Sequence, residues 1–366
     1  MKKWIALSLC LLLCLGLFAG CNDSADQNDE RITLNVYNWG QYISDGSDES
    51  LDVIAAFEEA YPHIKVNYST YDSNEVMYTK LASGGITVDV IIPSDYMIAR
   101  MREEGMLLEL NFDNIPNYQY IDEAFKGMNY DPEEKYTVPY AWGTVGIIYN
   151  TKYVDEADVE KGWELLWNEK YEDKILMYDN SRDAFGIAQL MLGYSLNTTD
   201  EGQLRECADL LAKQKPLVQQ YVMDQIFDLM QNEEAWIAPC YAGDYVTMAD
   251  VNEDLAFYRP ESGFNLFMDA MCIPACCQEK EAAELFINFL CDPEIAAGNM
   301  DWICYSTPLD KQYVMDYMDP EVLEDPAAYP TREEIREMVA LDRMFKNLPP
   351  ATSRLMESLF LKARIS

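Results

Sequence analysis

The sequence predicts an α/β protein of two lobes, and three observations carry that reading. Strand-like and helix-like stretches alternate along the chain, the pattern of sheets flanked by helices. The run "TVDVIIP" is continuously apolar, as expected of a central strand in a parallel sheet covered on both faces. Residues 31–366 are also too many for one comfortable core, and a fresh strand–helix series starts at "KILMYD".

Taken in order, the chain opens with Lys2 and Lys3 before the apolar run from Trp4 to Phe18, and "LFAGC" ends it at Cys21. A charged start, a short apolar stretch and small residues before a cut describe a secretory signal over residues 1–20 rather than a membrane span. Cysteine after Ala19 and Gly20 resembles a bacterial lipobox, although Phe18 is an unusual third residue before the cut. The plain alternative is an ordinary signal with an incidental cysteine. Residues 21–30, "CNDSADQNDE", are acidic and almost without apolar side chains, which suits a lipidated tether. The protein is therefore expected outside the cytoplasm, anchored to the outer face of the bacterial cytoplasmic membrane.

"RITLNVYN" reads as the first strand, followed by the amphipathic helix "ESLDVIAAFEEAY". "HIKVNYST" is the next strand, then "SNEVMYTKLAS" a helix capped by Ser73, with Val76 and Leu81 turned inward. "DYMIARMREEG" follows the apolar strand as a helix stopped by Gly105. The second series runs through "KILMYD", the helical "SRDAFGIAQLMLGY", "EAWIAPCY" and "NLFMDAMCIP".

In open α/β sheets ligands sit beyond the carboxyl ends of strands. The exits here are "YNWGQY", "PSDY", "DNSRD" and "YAGDY", and they are expected to face one cleft. Collected with later positions they supply Trp39, Tyr42, Ser94, Tyr96, Asn180, Asp183, Tyr241, Asp244, Phe267, Asp269 and Tyr305, with Arg182 the only cation nearby in sequence. Carboxylates pair with ammonium groups, and ring faces attract a desolvated cation by about 2 kcal/mol, so such a box suits an organic cation. An anion would instead need Arg forks or glycine-rich helix starts. Each residue also has a bland reading: Asp183 or Asp244 as a helix cap, Phe267 or Tyr305 as core.

The net charge of −37 argues against nucleic acid as a partner and would concentrate cations near the surface, besides keeping the protein soluble. Beyond Cys10, Cys14 and Cys21, seven cysteines remain: Cys207, Cys240, Cys272, Cys276, Cys277, Cys291 and Cys304. An odd number cannot pair completely within the chain. With His63 the only histidine, no metal site is expected, and the thiols read as small hydrophobes. One histidine also leaves no Ser–His or Cys–His pair, so no catalytic residue and no cofactor is expected. Two rival classes remain: a glycoside hydrolase working through Asp183 and Asp269, and a surface adhesion or structural protein that small molecules would not stabilise.

The stretches "LNVYNWGQYI", "YSTYDSNEVMYTKLASGG", "DVIIPSDYMIARMREEGML", "YTVPYAWGTVGIIYN", "MDAMCIP" and "INFLCDPEIA" closely resemble the substrate-binding proteins of polyamine ABC transporters, over Arg31 to about Leu309. The resemblance implies a two-lobed periplasmic-binding-protein fold, each lobe a mixed sheet flanked by helices, with the ligand in the cleft between them. It implies lobe 1 at residues 31–143 and 269–306, lobe 2 at 144–268 and 307–366, a single copy, spermidine or putrescine as ligand, and permease subunits as partners. Trp39, Tyr42, Ser94, Tyr96, Asp183, Asp269 and Tyr305 match family contacts. Gln41 replaces an acid, Asn180 replaces the Asp of spermidine-type members, and Tyr241 and Phe267 stand where that type has Trp. Asp244 in "YAGD" resembles the acid of putrescine-type members. The polyamine preferred stays open between these patterns, as does another organic cation.

Overall fold

The computed structural model describes residues 31–324 and 331–365. The leader, the tether and Cys21 lie outside the described residues. The described residues form nine strands: β1 (Ile32–Trp39), β2 (Ile64–Tyr71), β3 (Val90–Ile91), β4 (Thr137–Asn150), β5 (Ile175–Tyr178), β6 (Val218–Val222), β7 (Ile237–Tyr241), β8 (Leu255–Tyr258) and β9 (Leu266–Cys272). Their order is β2-β1-β3-β9-β4-β7-β5-β6, with β8 also paired to β4.

β1 pairs in parallel with β2 and β3, and β5 with β6 and β7, as strand–helix alternation requires. β4 and β9 join the two halves. Thr137–Thr144 of β4 runs antiparallel to β9, and from Val145 the same strand pairs with β7 and β8. Nearly every residue of β4 is buried, because helices and neighbouring strands cover both of its faces.

Two large apolar cores flank this junction. The first gathers Leu34, Phe57, Ile91, Trp142, Phe286 and their neighbours, and the second gathers Ile147, Trp163, Phe185, Ile237 and theirs. A smaller cluster with Ile148, Leu176 and Met248 covers the other face of the second sheet, as alternation along β4 and β5 demands. The packing departs from the division implied by the sequence after residue 306. Leu309, Val314, Leu323, Ile335 and Met344 pack in the first core, and only from Phe345 does the chain rejoin the second. With no strand-like run after Leu309, the sequence carries no signal for where these residues pack.

Local signals largely hold. Ser73 caps the helix Asn74–Ala82 by accepting from Val76 N at 3.3 Å, and Gly105 adopts φ +69° after the helix Asp95–Glu103. Val76, however, is exposed, and Met77 with Leu81 forms the buried face. All seven cysteines are free thiols, four of them fully buried. Among the described residues no cluster could hold a metal ion, and no helix is long and apolar enough to cross a membrane.

Candidate functional site

The strand exits converge on one cleft between the two cores, with a volume of about 890 Å³ including its open mouth. All twelve residues singled out from the sequence line it: Trp39, Gln41, Tyr42, Ser94, Tyr96, Asn180, Asp183, Tyr241, Asp244, Phe267, Asp269 and Tyr305. Two of them do not come from a strand exit: Phe267 and Asp269 lie inside β9, at the junction strand.

Four carboxylate–phenol pairs organise the wall. Tyr42 donates to Asp269 at 2.7 Å, Tyr241 to Asp183 at 2.8 Å, Tyr305 to Asp244 at 2.6 Å, and Tyr96 to Glu75 at 2.9 Å. Burial pushes Asp244 up to about 7 and Asp269 up to about 6, and it raises Asp183 and Glu75 as well. Ser94 and Tyr42 partly offset this at Asp269, and its Oδ1 has no protein partner. A cation would satisfy that oxygen and reverse the shift.

Neither acid reads as a helix cap. Asn180 is the N-cap of the helix Ser181–Leu192 and accepts from Asp183 N at 3.0 Å, while its amide reaches back to Asp183 Oδ2. Asp244 sits in the first turn of the helix Ala242–Val251. Tyr305 can reach it because Gly243 lies against its ring, where a Cβ would come within 2.5 Å. Phe267 is 8% exposed and belongs to the second core, yet it also forms cleft wall.

In the opening loop, Trp39 is half buried. Its Nε1 donates to Ile92 O at 2.8 Å, and its ring packs 4.7 Å from Tyr71. Gln41 is exposed at φ +49°. At Gly40 the Asp224 carboxylate approaches to 2.8 Å from where a Cβ would stand.

Sequence reading missed Asp72, Glu75, Asp95, Asp224 and Phe345. Glu75 was within reach as the acid in the first turn after a recognised strand exit. Asp224 follows β6, whose "VQQYV" carries too weak a pattern to be read as a strand. Phe345 comes from the returning C-terminal segment. With these additions, the described wall carries Asp72, Glu75, Asp95, Asp183, Asp224, Asp244 and Asp269 and no Lys, Arg or His. Arg182 lies behind Tyr96, its guanidinium 4.3 Å from the Phe345 ring centroid, with burial lowering it to about 10.

The profile of the family described as "Bacterial extracellular solute-binding protein" matches residues 52–331. The chain is 32% identical over 337 residues to the spermidine/putrescine-binding periplasmic protein of Escherichia coli, covering 92% of each. It is 28% identical over 382 residues to the putrescine-binding periplasmic protein SpuD of Pseudomonas aeruginosa, covering 100% of this chain and 99% of the relative. Among solved structures it resembles the spermidine/putrescine ABC transporter substrate-binding protein PotD of Streptococcus pneumoniae, with TM-score 0.73, 34% identity, and coverage of 91% and 99%.

Proposed function

The chain belongs to the bacterial extracellular solute-binding proteins, and on that footing we propose that it captures polyamines outside the cytoplasm and delivers them to an ABC permease. The carrying observation is the cleft wall: seven carboxylates, aromatic rings and no cationic side chain among the described residues. In water-poor surroundings such a wall rejects anions and gives each ammonium a counter-charge, while Trp39 and Phe267 offer faces to the methylene stem. The two cores correspond to two lobes closing over the ligand. The twelve cleft residues named from the sequence are its contacts, with Glu75 added as a further acid.

The test is a thermal-shift series with putrescine, cadaverine, spermidine, spermine and agmatine, and a neutral sugar as control. A ligand at a hundred times its Kd adds roughly 2.7 kcal/mol of stability. No shift with any amine would overturn the reading, and sugar hydrolysis would replace it with the Asp183–Asp269 hydrolase. Lipidation of Cys21 completes the proposal, holding the domain at the membrane through the tether. Cys21→Ala should move the protein into the soluble fraction, and unchanged membrane retention would refute the anchor.

A further inference from the structure

A second cavity, of about 410 Å³, adjoins the cleft and shares Glu75 and Tyr96 with it. Past those two residues basic side chains join the acids. The cavity is lined by Arg182, Arg100 and Lys346. Arg182 is 5% exposed; its Nη2 donates to Asn197 Oδ1 at 2.9 Å and Lys346 O at 3.3 Å, and its Nε and Nη1 have no partner. The other two cations are engaged, Arg100 with Glu104 at 3.1 Å and Lys346 with Asp342 at 2.6 Å. Two acids also face the cavity: Glu75, which accepts from Tyr96, and the exposed Glu357. The cavity thus spans both lobes, with Arg100 on the helix Asp95–Glu103 and Arg182 on the helix Ser181–Leu192.

Resting on the polyamine reading, we propose that this cavity is a charge filter that restricts the cleft to diamines. An ammonium paired with Glu75 and Asp183 ends the ligand, and a chain carrying a further ammonium past Tyr96 meets Arg182 and Lys346. At an effective dielectric near 20, two like charges several ångströms apart repel strongly enough for about tenfold discrimination. A four- or five-carbon diamine pays no such penalty, because both of its ammonium groups stay on the acidic side of Tyr96.

The experiment measures Kd for putrescine, cadaverine and spermidine at fixed ionic strength, on the purified protein and on Lys346→Gln and Lys346→Glu. Lys346 is exposed and outside the cleft wall, so these variants should fold normally. The filter predicts that the unaltered protein prefers a diamine to spermidine by about tenfold. Lys346→Glu should raise spermidine affinity at least about fivefold with putrescine unchanged, and Lys346→Gln should give a smaller gain in the same direction. Spermidine binding as tightly as putrescine in the unaltered protein overturns the filter. So does a Lys346→Glu variant that treats both amines as before. If spermidine binds well and loses that affinity in Asp224→Asn, its extra ammonium sits at the opposite end beside Asp72, and the filter is again wrong. Failure of every amine to bind would strike the polyamine reading itself, which keeps the two failures apart.

Discussion

The two walls of the cleft hold their acids in different ways. On the first wall Asp269 lies inside a strand, and its neighbours are tied to that lobe's own backbone. Tyr140 donates to Tyr42 O at 2.6 Å, and Trp39 and Tyr71 both donate to Ile92 O, at 2.8 and 2.7 Å. On the second wall Asp183 and Asp244 each occupy the first turn of a helix, held by tyrosine hydroxyls. There the helix dipole favours the ionised form while burial opposes it. The contrast separates framework from chemistry: ring residues of the first wall both pack into the fold and line the cleft, whereas acids of the second wall should change with little effect on either core.

The largest effect is expected at the centre. Asp269→Asn removes the counter-charge of a buried ammonium, a loss on the order of 3–5 kcal/mol, or more than about a hundredfold in Kd. The melting temperature of the empty protein should not fall, because the amide no longer carries a charge that burial disfavours. Calorimetric titration checks this, and a loss under about tenfold would leave Asp269 a structural residue.

The next comparison sets one residue from each wall side by side. Trp39→Ala should lower both affinity and unliganded stability, since it strips a ring from Tyr71 and removes the indole bond to Ile92 O. For a half-buried Trp the stability loss should lie near or below the about 3–5 kcal/mol of buried aromatic truncations. Asp244→Asn should weaken binding while leaving the empty protein's melting temperature within a degree or two. Equal melting losses in both variants would erase the distinction between the walls.

A smaller, graded effect follows from pH. Asp244 and Asp269 are raised in the empty protein to about 7 and about 6, so a bound ammonium must displace their protons. Affinity should therefore climb as pH rises from about 5.5 to 8, by up to about tenfold per pH unit for each proton displaced. Stability of the empty protein carries the opposite sign. Between the ordinary carboxylate value of 3.8 and about 7 the folded state binds more protons than the unfolded one, so these two groups make the empty fold less stable as pH rises. Measured over that range, affinity should rise while the melting temperature of the empty protein falls, so Kd and melting temperature both decrease, and Asp244→Asn should flatten the upper part of both curves.

How much of this was legible depended on the kind of signal. The parallel pairs β1–β2 and β1–β3 announced themselves through apolar runs between helix caps, and the exits at Trp39, Ser94, Asn180 and Tyr241 followed from topology. Asp269 was found within the run "NLFMDAMCIP", but the position of that run at the junction could not be, because its long partner β4 serves both halves and looks like any apolar run. Asp224 was missed with β6, whose exposed Gln219 and Gln220 break the alternation. That Leu309, Val314, Leu323, Ile335 and Met344 join the first core depends on tertiary packing alone.

The smallest effect belongs to the exposed edge of the first wall. Gln41 stands at φ +49° beside Gly40, and the Asp224 carboxylate of the opposite lobe leans against that glycine. Asp72 also lines this end and raises Asp224 further after burial. A third acid here, through Gln41→Glu, has two consequences of opposite sign. In the empty protein it adds like-charge repulsion between the walls, which should open the cleft slightly and cost little stability in exposed surroundings. It also offers a triamine's extra ammonium a new seat at the end away from Arg182, so that the filter is bypassed in the variant without being altered. Exposed pairs contribute about 0.2–1 kcal/mol, so the gain for spermidine should stay under about fivefold, with putrescine changed less. Because the added charge is exposed, the gain should shrink as salt rises towards 1 M, where the Debye length is about 3 Å. Spermidine affinity that falls or stays flat at low salt would show that residue 41 does not face the ligand. A gain that survives high salt would mean that Gln41→Glu acts by rearranging the loop rather than by its charge.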